Sequence, residues 1–179
     1  MVDSRAEYLR HHIRNVPDFP RKGIMFRDIT TLLQDKKAFR VAVETLHDRY
    51  RNVPIDKIVS IESRGFILGS ALAHCLGAAF VPVRKPKKLP FKTIREEYQL
   101  EYGADALEMH VDAIVKGERV LIVDDLVATA GTAVAACHLV QRLGGEIAGL
   151  AFLIELSFLN PREKLKNYDV YSVVTYDSE

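Results

Sequence analysis

Hydrophobic residues recur at helical spacing in the first fifty residues of the chain. The spacing predicts one helix over about residues 4–16 and a second helix that begins after Asp35. Pro17 and Pro20 end the first helix, because proline cannot continue a helix, and they leave an irregular stretch behind them. This part of the chain is therefore expected to be helical, with one irregular connection.

After residue 56, short apolar runs alternate with helical segments. The predicted strands are 57–61, 79–83, 119–123, 146–154 and 170–175, and the predicted helices include 65–76 and 132–143. Continuous runs rich in β-branched residues are typical of strands that are buried on both faces. The fold class that follows is α/β, with a mainly parallel sheet flanked by helices. A length of 179 residues fits a single domain over 1–179.

The segment 84–103 departs from this alternation, and we interpret it as a protruding loop or hairpin. Its first half is basic and carries Arg84, Lys85, Lys87, Lys88, Lys92 and Arg95. Such a cluster is equally typical of a solvated surface. Because Arg84 and Lys85 directly follow a predicted strand end, an anion-binding role fits them better.

Composition narrows the range of partners. The chain has 25 basic and 24 acidic residues, a net charge of +1, which argues against a general nucleic-acid coat. Cys75 and Cys137 lie far apart, so we expect reduced thiols and a cytoplasmic location. The apolar run 71–83 is too short to span a bilayer, so no membrane partner is expected.

Two adjacent carboxylates, Asp124 and Asp125, stand at the end of a predicted buried strand. A run of small and hydroxyl residues leads from them into a helix, and it consists of Ala128, Thr129, Ala130, Gly131 and Thr132. Ligands of open α/β sheets bind at the carboxyl ends of strands, and backbone N–H groups at a helix start favour phosphate. The acids would repel that phosphate unless they face vicinal hydroxyls or Mg²⁺. A capped helix start with two solvated acids is the alternative.

A second junction of strand and helix carries Ser63, Arg64 and Gly65. The same helix-start argument predicts an anion site there. The Arg64 guanidinium can donate two hydrogen bonds to a pyrophosphate. A surface arginine at a helix start is the alternative for this tripeptide.

The acid pair and its small-residue turn resemble the phosphoribosyl diphosphate signature of the type I phosphoribosyltransferases. Further motifs, over almost the whole chain, resemble the adenine-using members of that family. They lie at 18–20, 23–28, 63–66, 83–85, 88–90, 100–103, 155–156 and 162–165. The resemblance implies the type I phosphoribosyltransferase fold, with a small N-terminal hood over about 1–34 for base recognition and a flexible catalytic loop over 84–103.

The resemblance also implies an activity. It is the conversion of adenine and 5-phosphoribosyl 1-diphosphate to AMP and pyrophosphate in purine salvage, with Mg²⁺ as cofactor, by a homodimer. A phosphoribosyltransferase for another purine base remains open as an alternative. A non-catalytic regulator that senses the diphosphate is a second alternative.

The resemblance assigns roles residue by residue. Asp124 and Asp125 hold the ribose and support an Mg²⁺ ion that the substrate mainly holds, while residues 128–132 bind the 5′-phosphate. The pyrophosphate set is Ser63, Arg64, Gly65, Arg84, Lys85 and Lys88, and the adenine set is Met25, Phe26, Arg27 and Leu126. Glu101 exchanges a proton with adenine and Tyr102 covers the reaction centre. With Arg64 and the acid pair, these two complete the catalytic set.

Three positions in or near these motifs differ from the usual form of the family. Ala130 stands where glycine is usual, and a positive φ there would cost about 1 kcal/mol. Glu62 replaces an aspartate and is one methylene longer. Pro161 replaces a glycine before Arg162, which changes the expected backbone geometry near the C-terminus. None of these differences changes the acid pair.

Overall fold

The computed structural model describes residues 4–100 and 103–178, without the side chains of residues 99, 100, 103 and 104. Its helices are α1 (Ser4–His11), α2 (Thr30–Gln34), α3 (Lys36–Tyr50), α4 (Gly65–Leu76), α5 (Gly131–Arg142) and α6 (Pro161–Lys164). Its strands are β1 (Arg14–Val16), β2 (Phe26–Asp28), β3 (Lys57–Ile61), β4 (Ala79–Val83), β5 (Thr93–Leu100), β6 (Gly103–His110), β7 (Arg119–Val127), β8 (Glu146–Leu156) and β9 (Val170–Tyr176). A short 3-10 helix, Ser157–Leu159, follows β8.

The centre of the molecule is a five-stranded sheet in the order β4-β3-β7-β8-β9. Each neighbouring pair in this sheet is parallel. Helices α3 and α4 contribute to one hydrophobic cluster, and α5 contributes to the other. The predicted α/β class, with a mainly parallel sheet flanked by helices, is confirmed.

Strand β7 shows how the sequence builds both layers. Leu121 and Val123 pack in the cluster with α3 and α4, whereas Val120 and Ile122 pack in the cluster with α5. Successive side chains of a strand point to opposite faces, so an unbroken apolar run fills both layers. All four side chains are fully buried, and each burial contributes about 1.5–3 kcal/mol.

The N-terminal region differs from the prediction. The first helix ends at His11 rather than near residue 16, and Arg14–Val16 instead pairs with Phe26–Asp28 as a small antiparallel sheet. The Arg14 guanidinium donates to Asp28 at 2.8–3.0 Å across this pair. A contact between residues fourteen positions apart in the sequence therefore outweighs the local helical spacing.

The predicted bounds 57–61, 65–76 and 79–83 are confirmed. Strand β7 is longer than predicted and continues to Val127, because its last residues still pair with Ile154 and Glu155 of β8. The acid pair therefore lies within the last four residues of the strand rather than after its end.

The segment 84–103 departs from the alternation of strands and helices. It contains β5, which forms an antiparallel hairpin with β6. The hairpin packs against α5. A backbone bridge between Arg84 and Glu108 also joins it to the end of β4, with N···O distances of 2.7 and 3.0 Å. Among residues 4–100 and 103–178, no helix is long and apolar enough to cross a membrane.

Helix α4 lies unusually close to β3. A Cβ atom placed on Gly69 would lie 1.8 Å from Ser60 Oγ and 2.8 Å from Ser60 Cβ. This contact brings the start of α4 toward the carboxyl end of β3, where the site residues lie.

Replacement of Gly69 by alanine is expected to destabilise the fold by about 2 kcal/mol, because the added methyl group overpacks this contact. Urea unfolding followed by circular dichroism measures the change. Ser70→Ala on the exposed side of the same helix is the control and is expected to change the free energy of unfolding by less than about 0.5 kcal/mol. Equal stabilities of the two variants would contradict the contact.

Candidate active site

A cavity of about 300 Å³ lies at the carboxyl ends of β3 and β7. Its walls bring together many of the residues that the sequence singled out. These are Ser63, Arg64, Lys85, Asp124, Asp125, Leu126, Ala128, Thr129, Ala130, Gly131 and Thr132. Three separate segments of the chain therefore meet at one edge of the sheet, where open α/β sheets bind ligands.

The acid pair forms one wall of this cavity. Asp125 is 4% exposed, and its backbone N–H donates to Asp124 Oδ1 at 2.8 Å. Burial raises the pKa of Asp124 well above its usual range, and the nearby charge of Asp125 raises it further. Burial also raises the pKa of Asp125, while the Arg64 guanidinium acts in the opposite direction. A cation or a hydroxyl donor in the cavity would stabilise the charged form of both groups.

Arg64 connects the acid pair to β2, the strand that carries Phe26. Its Nε lies 2.7 Å from Asp125 Oδ2, and its guanidinium carbon lies 5.0 Å from the centre of the Phe26 ring. Both are ordinary distances for an ion pair and a cation–π contact. The structure thus places Phe26 beside the cavity, although it does not form part of the cavity wall.

Gly65 makes the close approach of α4 to the acid pair possible. A Cβ atom at this position would lie 2.6 Å from Asp124 Oδ1 and 3.2 Å from Asp124 Cα. No side chain fits there without displacing the carboxylate. The glycine of this tripeptide is therefore required by contact with Asp124.

The small-residue turn contains a backbone conformation that alanine rarely adopts. Ala130 has φ +63° and ψ 3°, in the left-handed region, and helix α5 begins at the next residue. Its side chain is buried, and its carbonyl accepts from Val134 N at 2.9 Å. The sequence predicted strain at residue 130 if its φ were positive. The observed φ is positive, so the strain is present and costs about 1 kcal/mol.

The Glu62 carboxylate organises the basic segment after β4. It accepts from Arg84 Nε at 2.9 Å and from the Lys85 backbone N–H. Arg84 also donates to the carbonyl of Lys88 at 3.0 Å. Sequence reasoning noted Glu62 only as a departure from the usual residue and did not predict that it holds this segment.

Arg84 and Lys88 do not form part of the cavity wall. Lys85 does, and its ammonium contacts Tyr98 and Asp105 of the hairpin. Sequence reasoning gave no specific role to Tyr98 and none to Asp105. The only available signal was the position of Tyr98 near the 100–103 motif.

The adenine set is partly at the cavity. Leu126 lines it, whereas Met25 and Arg27 lie on or beside β2, away from its wall. The Arg27 side chain is buried, donates to Asn15 Oδ1 at 2.6 Å and lies 4.0 Å from the Tyr176 ring centre. These contacts hold the Arg27 side chain between Asn15 of β1 and Tyr176 of β9.

Glu101 and Tyr102 lie outside the described residues. Their predicted roles in proton transfer and in covering the reaction centre stay predictions.

Replacement of Ala130 by glycine is expected to stabilise the protein by about 0.5–1 kcal/mol, because relief of the left-handed strain exceeds the greater flexibility of unfolded glycine. Chemical unfolding measures the difference. Ala133→Gly, at a regular position of the same helix, is the matched control and should destabilise by about 1 kcal/mol or more. Destabilisation by both substitutions would contradict the strain at Ala130.

Comparisons with known proteins agree on one family. The phosphoribosyl transferase domain profile matches residues 28–178. The adenine phosphoribosyltransferase of Thermotoga neapolitana is 56% identical over 168 residues, which cover 94% of this chain and 99% of the relative.

Solved structures give the same result. The adenine phosphoribosyltransferase of Thermoanaerobacter pseudethanolicus superimposes with a TM-score of 0.93 at 50% identity, covering 96% of this chain and 99% of that chain. The Saccharomyces cerevisiae enzyme, complexed with adenine and an imino-altritol bisphosphate, superimposes with a TM-score of 0.89 at 40% identity, covering 95% and 98%. With the profile match over most of its length and more than half of its residues shared with a nearly full-length relative, this chain belongs to the adenine phosphoribosyltransferases.

Proposed function

We propose that the chain transfers the phosphoribosyl group of 5-phosphoribosyl 1-diphosphate to adenine, forming AMP and pyrophosphate in purine salvage. The observation that carries this proposal is the shared cavity, in which a buried carboxylate pair and a helix-start turn face one space. The related enzyme of Saccharomyces cerevisiae is complexed with adenine and a bisphosphate. A bisphosphate matches the helix-start turn, and adenine matches the aromatic ring of Phe26 beside the cavity.

The ribose 5′-phosphate binds at the start of α5. Residues 128–132 line the cavity there, and backbone N–H groups at a helix start attract a phosphate. Asp124 and Asp125 accept hydrogen bonds from the ribose hydroxyls. Because burial alone disfavours the charged carboxylates, these donors also stabilise the acid pair.

The pyrophosphate group binds on the opposite side, among Ser63, Arg64 and Gly65 and the cations of the basic segment, Arg84, Lys85 and Lys88. As the bond from the ribose carbon to pyrophosphate breaks, positive charge develops on the sugar and negative charge on the leaving group. Cations held in place before the reaction stabilise that developing charge. Arg64 exchanges part of its contact with Asp125 for the pyrophosphate.

Adenine lies between the ring of Phe26 and the side chain of Leu126. The backbone groups of Met25 and Arg27 read the edge of the base, because the aromatic ring of Phe26 accepts any planar base. The buried anchorage of Arg27 keeps that backbone in place. Glu101 and Tyr102 supply the proton transfer and the cover.

Mg²⁺ is the proposed cofactor. Among residues 4–100 and 103–178 there is no group of three or more His, Cys, Asp or Glu side chains arranged to hold a metal ion. Mg²⁺ often binds one or two carboxylates together with substrate phosphates, so Asp124 and Asp125 fit as the protein's share of its ligands. When bound, the ion neutralises charge on the diphosphate.

We also propose that the enzyme is a cytoplasmic homodimer. The location is supported by Cys75 and Cys137, which are both free thiols. The dimer follows from the resemblance, and exposed hydrophobic side chains such as Ile67 and Phe91 provide surface that a second copy can cover. Sedimentation analysis tests the dimer.

The test of the activity is a product assay. The protein is mixed with phosphoribosyl diphosphate, Mg²⁺ and one base at a time, and nucleotide and pyrophosphate are quantified. AMP is expected to dominate. IMP, GMP or XMP without AMP would favour a different purine base, and diphosphate binding without pyrophosphate release would favour a regulator.

Asp125→Asn is expected to raise the KM for phosphoribosyl diphosphate by about tenfold, because the amide nitrogen donates where the carboxylate accepts and the charge opposite Arg64 is lost. Steady-state kinetics give the KM, and circular dichroism checks that the variant is folded. Asp112→Asn, at an exposed position outside the cavity, is the control. An unchanged KM in a folded Asp125→Asn variant would contradict the ribose role.

A further inference from the structure

We propose that Asp105 and Tyr98 are positioning residues, which hold the Lys85 ammonium at the pyrophosphate side of the cavity. The proposal rests on the function proposed above, in which Lys85 contacts pyrophosphate. It assigns to the β5–β6 hairpin a role in binding the leaving group.

The register of the hairpin brings the two residues together. Tyr98 on β5 pairs directly with Asp105 on β6, so their side chains lie on the same face. The Tyr98 hydroxyl lies 3.4 Å from Asp105 Oδ2. A phenol and a carboxylate therefore form one polar unit on the hairpin.

Lys85, two residues after the end of β4, contacts both members of this polar unit. Its Nζ donates to the Tyr98 hydroxyl at 2.6 Å and forms an ion pair with Asp105 Oδ2. An ammonium has three N–H donors, and these contacts use two of them. Lys85 and Tyr98 both line the cavity, so the third donor is available to an anion there.

Further hydrogen bonds hold the Asp105 carboxylate and the Lys85 backbone in place. Asp105 Oδ1 accepts from Ala106 N at 2.8 Å, which holds the carboxylate in place. The backbone N–H of Lys85 donates to Glu62 Oε1. A lysine side chain is otherwise long and mobile, so anchoring both its backbone and its ammonium removes conformational freedom before a ligand arrives.

The charges in this group support one another. Partial burial alone would lower the pKa of Lys85, but the hydrogen bonds to Asp105 and Tyr98 outweigh burial and raise it. The Lys85 ammonium in turn lowers the pKa of Asp105. The lysine therefore remains a cation and the aspartate an anion at neutral pH.

A competing role for Asp105 predicts that removal of its carboxylate changes diphosphate binding in the opposite direction. If the carboxylate only competed with pyrophosphate for the ammonium, its removal would tighten diphosphate binding. The third donor of Lys85, which its contacts with Tyr98 and Asp105 leave unused, favours positioning, because the anion can bind without displacing either partner.

The experiment compares Asp105→Asn, Tyr98→Phe, Lys85→Met and the double variant of Lys85→Met with Asp105→Asn. Asp105→Asn is expected to raise the KM for phosphoribosyl diphosphate about tenfold and Tyr98→Phe about threefold, with the KM for adenine within about twofold of the parent. The double variant is expected to be no worse than Lys85→Met alone, because Asp105 acts through Lys85. Calorimetry with inorganic pyrophosphate is expected to give the same order of affinities without turnover.

Glu97→Gln is the matched control, since Glu97 lies on the same strand, is exposed and pairs with Arg95. It is expected to leave both KM values unchanged. Thermal unfolding of every variant separates lost positioning from lost folding, because a merely unstable hairpin would raise both KM values together.

Each contrary result has a distinct meaning. Tighter diphosphate binding by Asp105→Asn, or additive losses in the double variant, would overturn the positioning role while leaving the transferase intact. AMP formation with an unchanged diphosphate KM in Lys85→Met would overturn both the pyrophosphate contact of Lys85 and its positioning. Absence of AMP formation by the parent would refute the proposed activity, and the pyrophosphate titrations would still decide the positioning role.

Discussion

Opposite charges must share a single cavity in this protein, and the structure meets that constraint by pairing them. A buried carboxylate without a partner is costly, and Asp125 is almost completely buried. In the part of the chain that the structure describes, three pairs lie around the site: Arg64 with Asp125, Arg84 with Glu62, and Lys85 with Asp105. In the proposed reaction the diphosphate takes over part of the attraction to these cations. The site is thus stabilised before the polyanion arrives and has cations ready when it does.

The order of the strands explains why these charges meet. The carboxyl ends of β4, β3 and β7 lie side by side, and charged residues lie at or directly after each of these ends. Glu62 follows β3, Arg84 follows β4, and the acid pair lies in the last residues of β7. Gly65 then allows α4 to touch Asp124, so the two helix starts face the same space. The parallel sheet positions the site because neighbouring strands end together.

Hydrophobic periodicity predicted the sheet and the helices on its faces, because the environment of each buried run is dominated by the hydrophobic interior. It was wrong for residues 14–16, where pairing with β2 outweighs helical spacing. The presence of the acid pair and the small-residue turn at one edge of the sheet could be predicted from local sequence, and the structure places both at the cavity. The partners Glu62, Asp105 and Tyr98 could not be, since their contacts depend on which residues the hairpin and β4 bring together in space. An isolated carboxylate in a charged chain carries no local signal of its partner.

Ala130 shows how far the surrounding structure determines the small-residue turn of residues 128–132. A left-handed conformation is unfavourable for alanine, so local preference alone would move the backbone to negative φ. The conformation persists because the residue is buried, its carbonyl accepts from Val134, and α5 must begin at Gly131. Strain that packing maintains at a turn beside a cavity is typical of functional sites. The backbone conformation of the turn is therefore set by helix packing, so an alanine can occupy a position where glycine would be less strained.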